Sequence, residues 1–345
     1  MAYTTIDDPT IYFNTVLYTG NASTQSITGV NFSPSFVWIK SRNDTNSHYL
    51  FDVIRGVHEP LIADATTAEV ADTNTVTSFD SDGFSIGNNT GINGSSDTEV
   101  AWNWKAGTSF TNDASSTGVG TIDSTGSINT TAGFSIISYT GTGSNATVGH
   151  GLDAEAKCII FKDRDTASDW RMYHVGVGNT GALTLNNTNA TQTNSVFFQD
   201  TTPTSTVFSL GTGTDVNNTN SFIAYCFAEK KGFSKFGSYT GNGNADGTFI
   251  YTGFKPAFIL QKRTDSTSNW HIFDNKRETF NPQQRYLLPN TYDVEGNAGS
   301  WDFLSNGFKI RSSEAWQNNS GGTFIYMAFA ESPFTNSNGV PNNAR

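Results

Sequence analysis

Charge is scarce in this chain, and positive charge scarcer still: 20 Lys and Arg stand against 31 Asp and Glu in 345 residues, for a net charge of −11. No basic stripe is present that could displace counterions from phosphates, so a nucleic-acid partner is not expected. Adhesion to an anionic membrane by charge alone is equally disfavoured. No stretch approaches the run of about 18 apolar residues that a bilayer-spanning helix needs, and membrane insertion is not expected. With only two cysteines there is no disulfide framework. Cys158 and Cys226 both lie in apolar runs. Buried free thiols are the expectation, with a single bridge between them as the alternative. Helical periodicity is nearly missing as well. Its best candidate, Asp64 to Asp72, is weakened by the β-branched Thr66, Thr67 and Val70. The opening Met1-Ala2-Tyr3-Thr4-Thr5-Ile6-Asp7-Asp8 has neither the basic nor the apolar region of a secretory signal, so synthesis without export is expected.

Aromatic residues are abundant. The 26 Phe, 12 Tyr and 7 Trp supply large apolar areas that a disordered Ser/Thr/Asn/Gly-rich chain would lack. The chain is therefore read as globular, with length for two or three domains.

Several blocks recur three times in one order. Tyr-Thr-Gly appears at Tyr18, Tyr139 and Tyr239. An apolar strand ending in lysine follows, at Lys40, Lys162 and Lys262. Eight positions beyond each lysine stands His48, Trp170 or Trp270, and three further on Phe51, Tyr173 or Phe273. Each unit closes on an aromatic strand: Ala101-Trp102-Asn103-Trp104, Ala224-Tyr225-Cys226-Phe227 and Tyr326-Met327-Ala328-Phe329. Short runs rich in β-branched and aromatic residues, bounded by Gly, Asn and Asp, read as strands. The fold class that follows is all-β: three tandem antiparallel β-sandwich domains. Repeats are placed at 1–107, 132–232 and 233–335, with a Ser/Thr/Gly-rich linker at 108–131 and a tail at 336–345. Strand alternation predicts that Trp102, Trp104, Tyr225 and Phe227 line the core between the two sheets of each sandwich.

Candidate sites are few. The recurrent cations Lys40/Arg42, Lys162/Arg164 and Lys262/Arg263 read either as an anion clamp or as a charged rim that protects strand edges. The five histidines show no paired metal-ligand spacing. Asp80-Ser81-Asp82-Gly83 resembles part of a calcium loop but lacks the distal Glu, and a hairpin turn is the simpler reading. No Glu-x-Asp-x-Glu pattern or G-x-S-x-G elbow is present, so neither catalysis nor a cofactor or metal is expected. Trp316, in the polar stretch Ser312–Asn319, can stack on a sugar ring or fold back onto its sandwich. The candidate ligand-binding residues are Trp316, Asn318, Asn319, Asp44 and Asp265, all in turn loops.

The opening Met1 to Pro9, Val100-Ala101-Trp102-Asn103-Trp104-Lys105-Ala106-Gly107, the stretch from Ile223 to Gly241, Tyr251 to Pro256 and the ending Gly339 to Arg345 carry a further signal. On these motifs the whole chain resembles repeat-bearing structural proteins of marine tailed bacteriophages. The resemblance implies jelly-roll or concanavalin-like sandwiches and a virion location, with no catalytic motif. It implies a non-enzymatic tail-fibre or head-fibre protein that binds a host-surface glycan or receptor and contacts other tail or capsid proteins. A homo-oligomer, in particular a trimer, follows from analogy with fibrous appendages. A capsid-decoration protein and, more remotely, a polysaccharide-degrading tailspike are the alternatives.

Overall fold

The computed structural model describes residues 3–342, so Met1, Ala2 and Asn343 to Arg345 of the motifs above lie outside the described residues. The chain is all-β, with antiparallel strands and only four-residue α-helices among the described residues. The sheets fall into three pairs, here units 1 to 3. In unit 1 a five-stranded sheet runs Phe13–Thr19, Thr98–Trp104, Phe36–Ser41, Tyr49–Asp52, Gly56–Ile62. It faces a three-stranded sheet of Gln25–Thr28, Gly83–Ile86 and Val76–Asp80. Unit 2 joins an eight-stranded sheet to a two-stranded one, and unit 3 has two four-stranded sheets.

The segment expected to be a linker is folded. Thr108–Asn112 and Ser124–Asn129 pair with each other, and the latter pairs with Phe134–Thr140, so both extend the large sheet of unit 2. Polar composition misled here because a sheet-edge strand facing water needs few apolar residues, whereas its backbone hydrogen bonds come from any sequence. The Asp64–Asp72 segment is likewise not a helix. It runs extended and bonds outward, with the Glu69 amide donating to Arg164 O of unit 2 at 2.9 Å.

The central strands of the large sheets are buried on both faces. Phe36–Ser41 is buried at every residue, as is Ser221–Ala228 after its first. Alternate side chains therefore enter two different cores. Val37, Ile39 and Ala101 pack inside the sandwich of unit 1, while Phe36, Trp38, Trp102 and Trp104 point the other way. That second face belongs to one cluster shared by all three units. The expected placement of Trp102, Trp104, Tyr225 and Phe227 between paired sheets is thus corrected. In units 1 and 2 these large side chains face the molecular centre and Ala101, Ala224 and Cys226 face the sandwich; in unit 3 Met327 and Phe329 face the centre, and Tyr326 and Ala328 the sandwich. At the centre, the equivalent residues Trp104, Phe227 and Phe329 meet with ring centroids 5.7, 5.9 and 6.4 Å apart. They mark a pseudo-threefold axis. Each buried ring contributes about 2–3 kcal/mol through area alone.

Cys158 belongs to the central cluster and Cys226 to the interior of unit 2, with Ile159, not Cys158, opposite Cys226 across the ladder. The two thiols lie on opposite faces of one sheet and are free. Burial raises the pKa of both.

Candidate functional site at the unit junctions

The triplicated lysines are neither a surface rim nor a clamp. Lys40, Lys162 and Lys262 are fully buried, and their ammonium groups donate to backbone carbonyls. Burial lowers each to a pKa of about 8. Lys162 of unit 2 reaches Thr66 O of unit 1 at 3.1 Å, and Lys262 of unit 3 reaches Thr188 O of unit 2 at 3.4 Å. The indole N–H groups of Trp170 and Trp270 repeat the pattern, donating to Ile62 O at 2.8 Å and to Thr184 O at 2.9 Å. In each unit the extended arm after its second hairpin (63–72, 185–192, 288–295) lies on the next unit. Amides of Glu69, Thr191 and Glu295 donate to Arg164 O, Thr264 O and Arg42 O at 2.9, 2.9 and 2.7 Å. The third bond returns from unit 3 to unit 1 and closes the ring.

Two of the three junctions carry the same buried charge network. Asp52 pairs with Arg55 at 2.6 Å, Arg55 with Glu69 at 3.0 Å, and Glu69 with Arg164 of unit 2 at 2.7 Å. Asp274, Arg277, Glu295 and Arg42 of unit 1 repeat it at 2.6, 3.2 and 2.9 Å. Although burial opposes it, Arg42 and Arg277 hold the Glu295 carboxyl below its ordinary pKa. Each aspartate also accepts a bond from the neighbouring unit, from Tyr225 Oη at 2.7 Å or from Trp102 Nε1 at 3.0 Å. Lone buried charges would cost several kcal/mol; here every member has a partner.

The junction between units 2 and 3 is different. His174 stands in the register position of Asp52 and Asp274, opposite Cys158 as they are opposite Phe36 and Phe258. Its ring Nε2 lies 3.1 Å from Tyr326 O. By the same offsets Val177 replaces the arginines 55 and 277 and Thr264 replaces Arg42 and Arg164, while Thr191 holds the arm position of the glutamates, its amide bonded to the next unit as theirs are. Where the charged side chains would sit there is an open cleft of about 400 Å³, lined by Val177, Thr191 and Thr264 among others.

The sequence-predicted ligand residues do not form one constellation. Trp316 is folded back: its ring stacks on His271 at 3.9 Å and on Phe273 at 6.2 Å. Asn318 is fully buried, and its Nδ2 donates to Asn242 Oδ1, Asn244 O and Ser312 O. Asn93 and Asn217 brace the same loops of units 1 and 2, each donating to two carbonyls across the turn. Asn318 is therefore a loop brace of the repeat. Asn319 is half-buried, and its side chain reaches only the adjacent Ser320 O. Asp265 is exposed, pairs with Arg263 at 2.8 Å, and accepts the Thr323 amide at 3.3 Å, which places it at the rim of the cleft. Asp44 is exposed on unit 1, away from the four unit 3 residues in the chain, and accepts the Thr45 amide.

Asp80 and Asp82 flank a hairpin turn, with Asp82 accepting the amides of Gly29 and Asn31. His48, His150, His174 and His271 are buried, and burial lowers their pKa. Among the described residues no three His, Cys, Asp or Glu side chains gather as a metal site. Asp52, Arg55, Asp274 and Arg277 were missed by the sequence reading. Their signal was Phe-Asp-x-x-Arg, present at Phe51–Arg55 and Phe273–Arg277 and lost at Tyr173–Val177.

No curated protein matches the chain. A family model described as a domain of unknown function, DUF7483, matches residues 8–333, nearly the full length, and the chain belongs to that family.

Proposed function

We propose that this protein is a non-enzymatic surface component of a bacteriophage virion, of the tail-fibre or head-fibre type, which presents its sandwich loops to a host-surface glycan or receptor. The phage placement rests on the sequence motifs that resemble virion structural proteins. One structural observation supports a display role: the three units close around Trp104, Phe227 and Phe329 into a single body. Asp52, Arg55, Asp274 and Arg277 are tied into the junctions, and the loops are braced from within by Asn93, Asn217 and Asn318. Such a body offers pre-ordered loops that lose little conformational freedom on binding. A threefold arrangement of sandwiches, which fibrous appendages reach through three chains, is reached in this reading within one.

The test is mass spectrometry and immunogold labelling of purified particles, with binding of the recombinant protein to host cells. Presence on particles and saturable host binding support the reading. A protein missing from particles overturns it. Stoichiometric presence on the capsid with no host binding replaces it with decoration, and release of reducing ends from host polysaccharide overturns the non-enzymatic part.

A further inference from the structure

We propose that the uncharged cleft between units 2 and 3 is a binding site for a neutral carbohydrate. The inference rests on the surface-binding reading above and gives it a location. The three junctions are built to one plan, and in two of them arginine and glutamate side chains bridge the arm of one unit and the sheet of the next; beside Arg164 the equivalent positions of unit 2 line a smaller cleft of about 230 Å³. At the third, Val177, Thr191 and Thr264 stop short, and a cleft of about 400 Å³ opens. Its size falls in the lower part of the range for small-ligand pockets, roughly 300–1,000 Å³.

The lining decides the class of ligand. None of the residues that line the cleft is charged, and hydroxyl-bearing side chains come from Thr191, Ser238, Thr240, Thr264 and Thr323. A charged ligand would be desolvated there without a counter-charge, and an anion would also meet the overall charge of −11. A wholly apolar ligand would leave the hydroxyl groups unpaired. A neutral polyol matches them. Part of the hydrogen-bonding capacity is not consumed within the fold, since Thr191, which lines the cleft, has its Oγ1 buried without a partner. The Thr264 hydroxyl is engaged by Thr323 at 2.8 Å, which orders that wall. Asp265, bonded to the Thr323 amide and paired with Arg263, adds an acceptor at the rim. Of the five residues singled out from the sequence, Asp265 is the one the structure brings to this cleft.

Saturation-transfer NMR on the whole protein with glucose, galactose, mannose, N-acetylglucosamine and their β-linked dimers tests the assignment. Two double variants accompany it. Thr191→Glu with Thr264→Arg restores the ion pair of the other junctions and narrows the cleft. Thr191→Val with Thr264→Val keeps its shape and removes two hydroxyls, and serves if the first variant does not fold. The expected result is transfer to at least one of these sugars, with affinity reduced about tenfold or more in the folded variants. Binding that neither variant alters, or no transfer to any of the sugars, overturns the cleft assignment. Those outcomes leave the virion-surface reading to be judged by the particle and host-cell measurements, whose failure would in turn leave a sugar-binding cleft standing.

Discussion

The hydroxyl of Tyr225 in unit 2 donates to Asp52 Oδ2 of unit 1 at 2.7 Å, with both side chains fully buried. On the other side of that carboxylate, Arg55 holds the same oxygen at 2.6 Å. Removing the tyrosine hydroxyl therefore leaves the charge paired, whereas removing the carboxylate takes from the buried Arg55 guanidinium its nearer counter-charge and leaves it Glu69. Tyr225→Phe should cost about 1–2 kcal/mol and Asp52→Ala about 3–5 kcal/mol in urea unfolding. Equal losses from the two would show that the inter-unit bond, not the charge balance, dominates the junction.

Because Trp104, Phe227 and Phe329 each complete the packing of two other units, the three sandwiches should not unfold separately. Scanning calorimetry is expected to give one transition. Trp104→Ala should lower it by about 3–5 kcal/mol of stability without splitting it. Three resolved transitions would mean that the central cluster does not couple the units.

Glu99 interrupts the repeat. Phe222 and Phe324 occupy its position in the other units and stack on Tyr139 and Tyr239 at 5.3 and 4.9 Å, whereas in unit 1 Tyr18 stands opposite a carboxylate. Burial, aided by Asp97, pushes the Glu99 pKa up to about 8. The folded state therefore binds a proton more tightly than the unfolded state. The associated stability is complete below the unfolded value near pH 4.5 and is lost as pH rises to about 8. Glu99→Phe should be more stable than the parent at pH 8 by about 2 kcal/mol, with a smaller gain at pH 4.5, as read by thermal melts at both values. A gain independent of pH would assign the effect to packing.

With its pseudo-threefold ring closed inside one chain, the protein should be monomeric in solution. Multi-angle light scattering is expected to give one chain mass, 37.3 kDa. A trimeric mass would restore the assembly expected from fibrous appendages.

The all-β class and the recurrence of blocks were legible because strand-forming runs and turn residues are local signals. Tyr18, Tyr139 and Tyr239, or the three lysines, could be aligned by eye. The sequence by itself also determined that each central strand has two apolar faces, since Phe36–Ile39 and Ala224–Phe227 carry apolar residues at successive positions. Which core each face enters was decided only by tertiary structure. A period of two says that Trp102 and Ala101 point apart, but not that a second and a third unit wait on the tryptophan side. The lysines show the same limit. Next to polar turns Lys40 and Lys262 read as rim charges, yet arms from neighbouring units cover Lys162 and Lys262 and supply carbonyls to their ammonium groups. Burial of a charge depends on what packs over it from distant sequence, so the closed ring and the one junction left uncharged belong to the assembled fold.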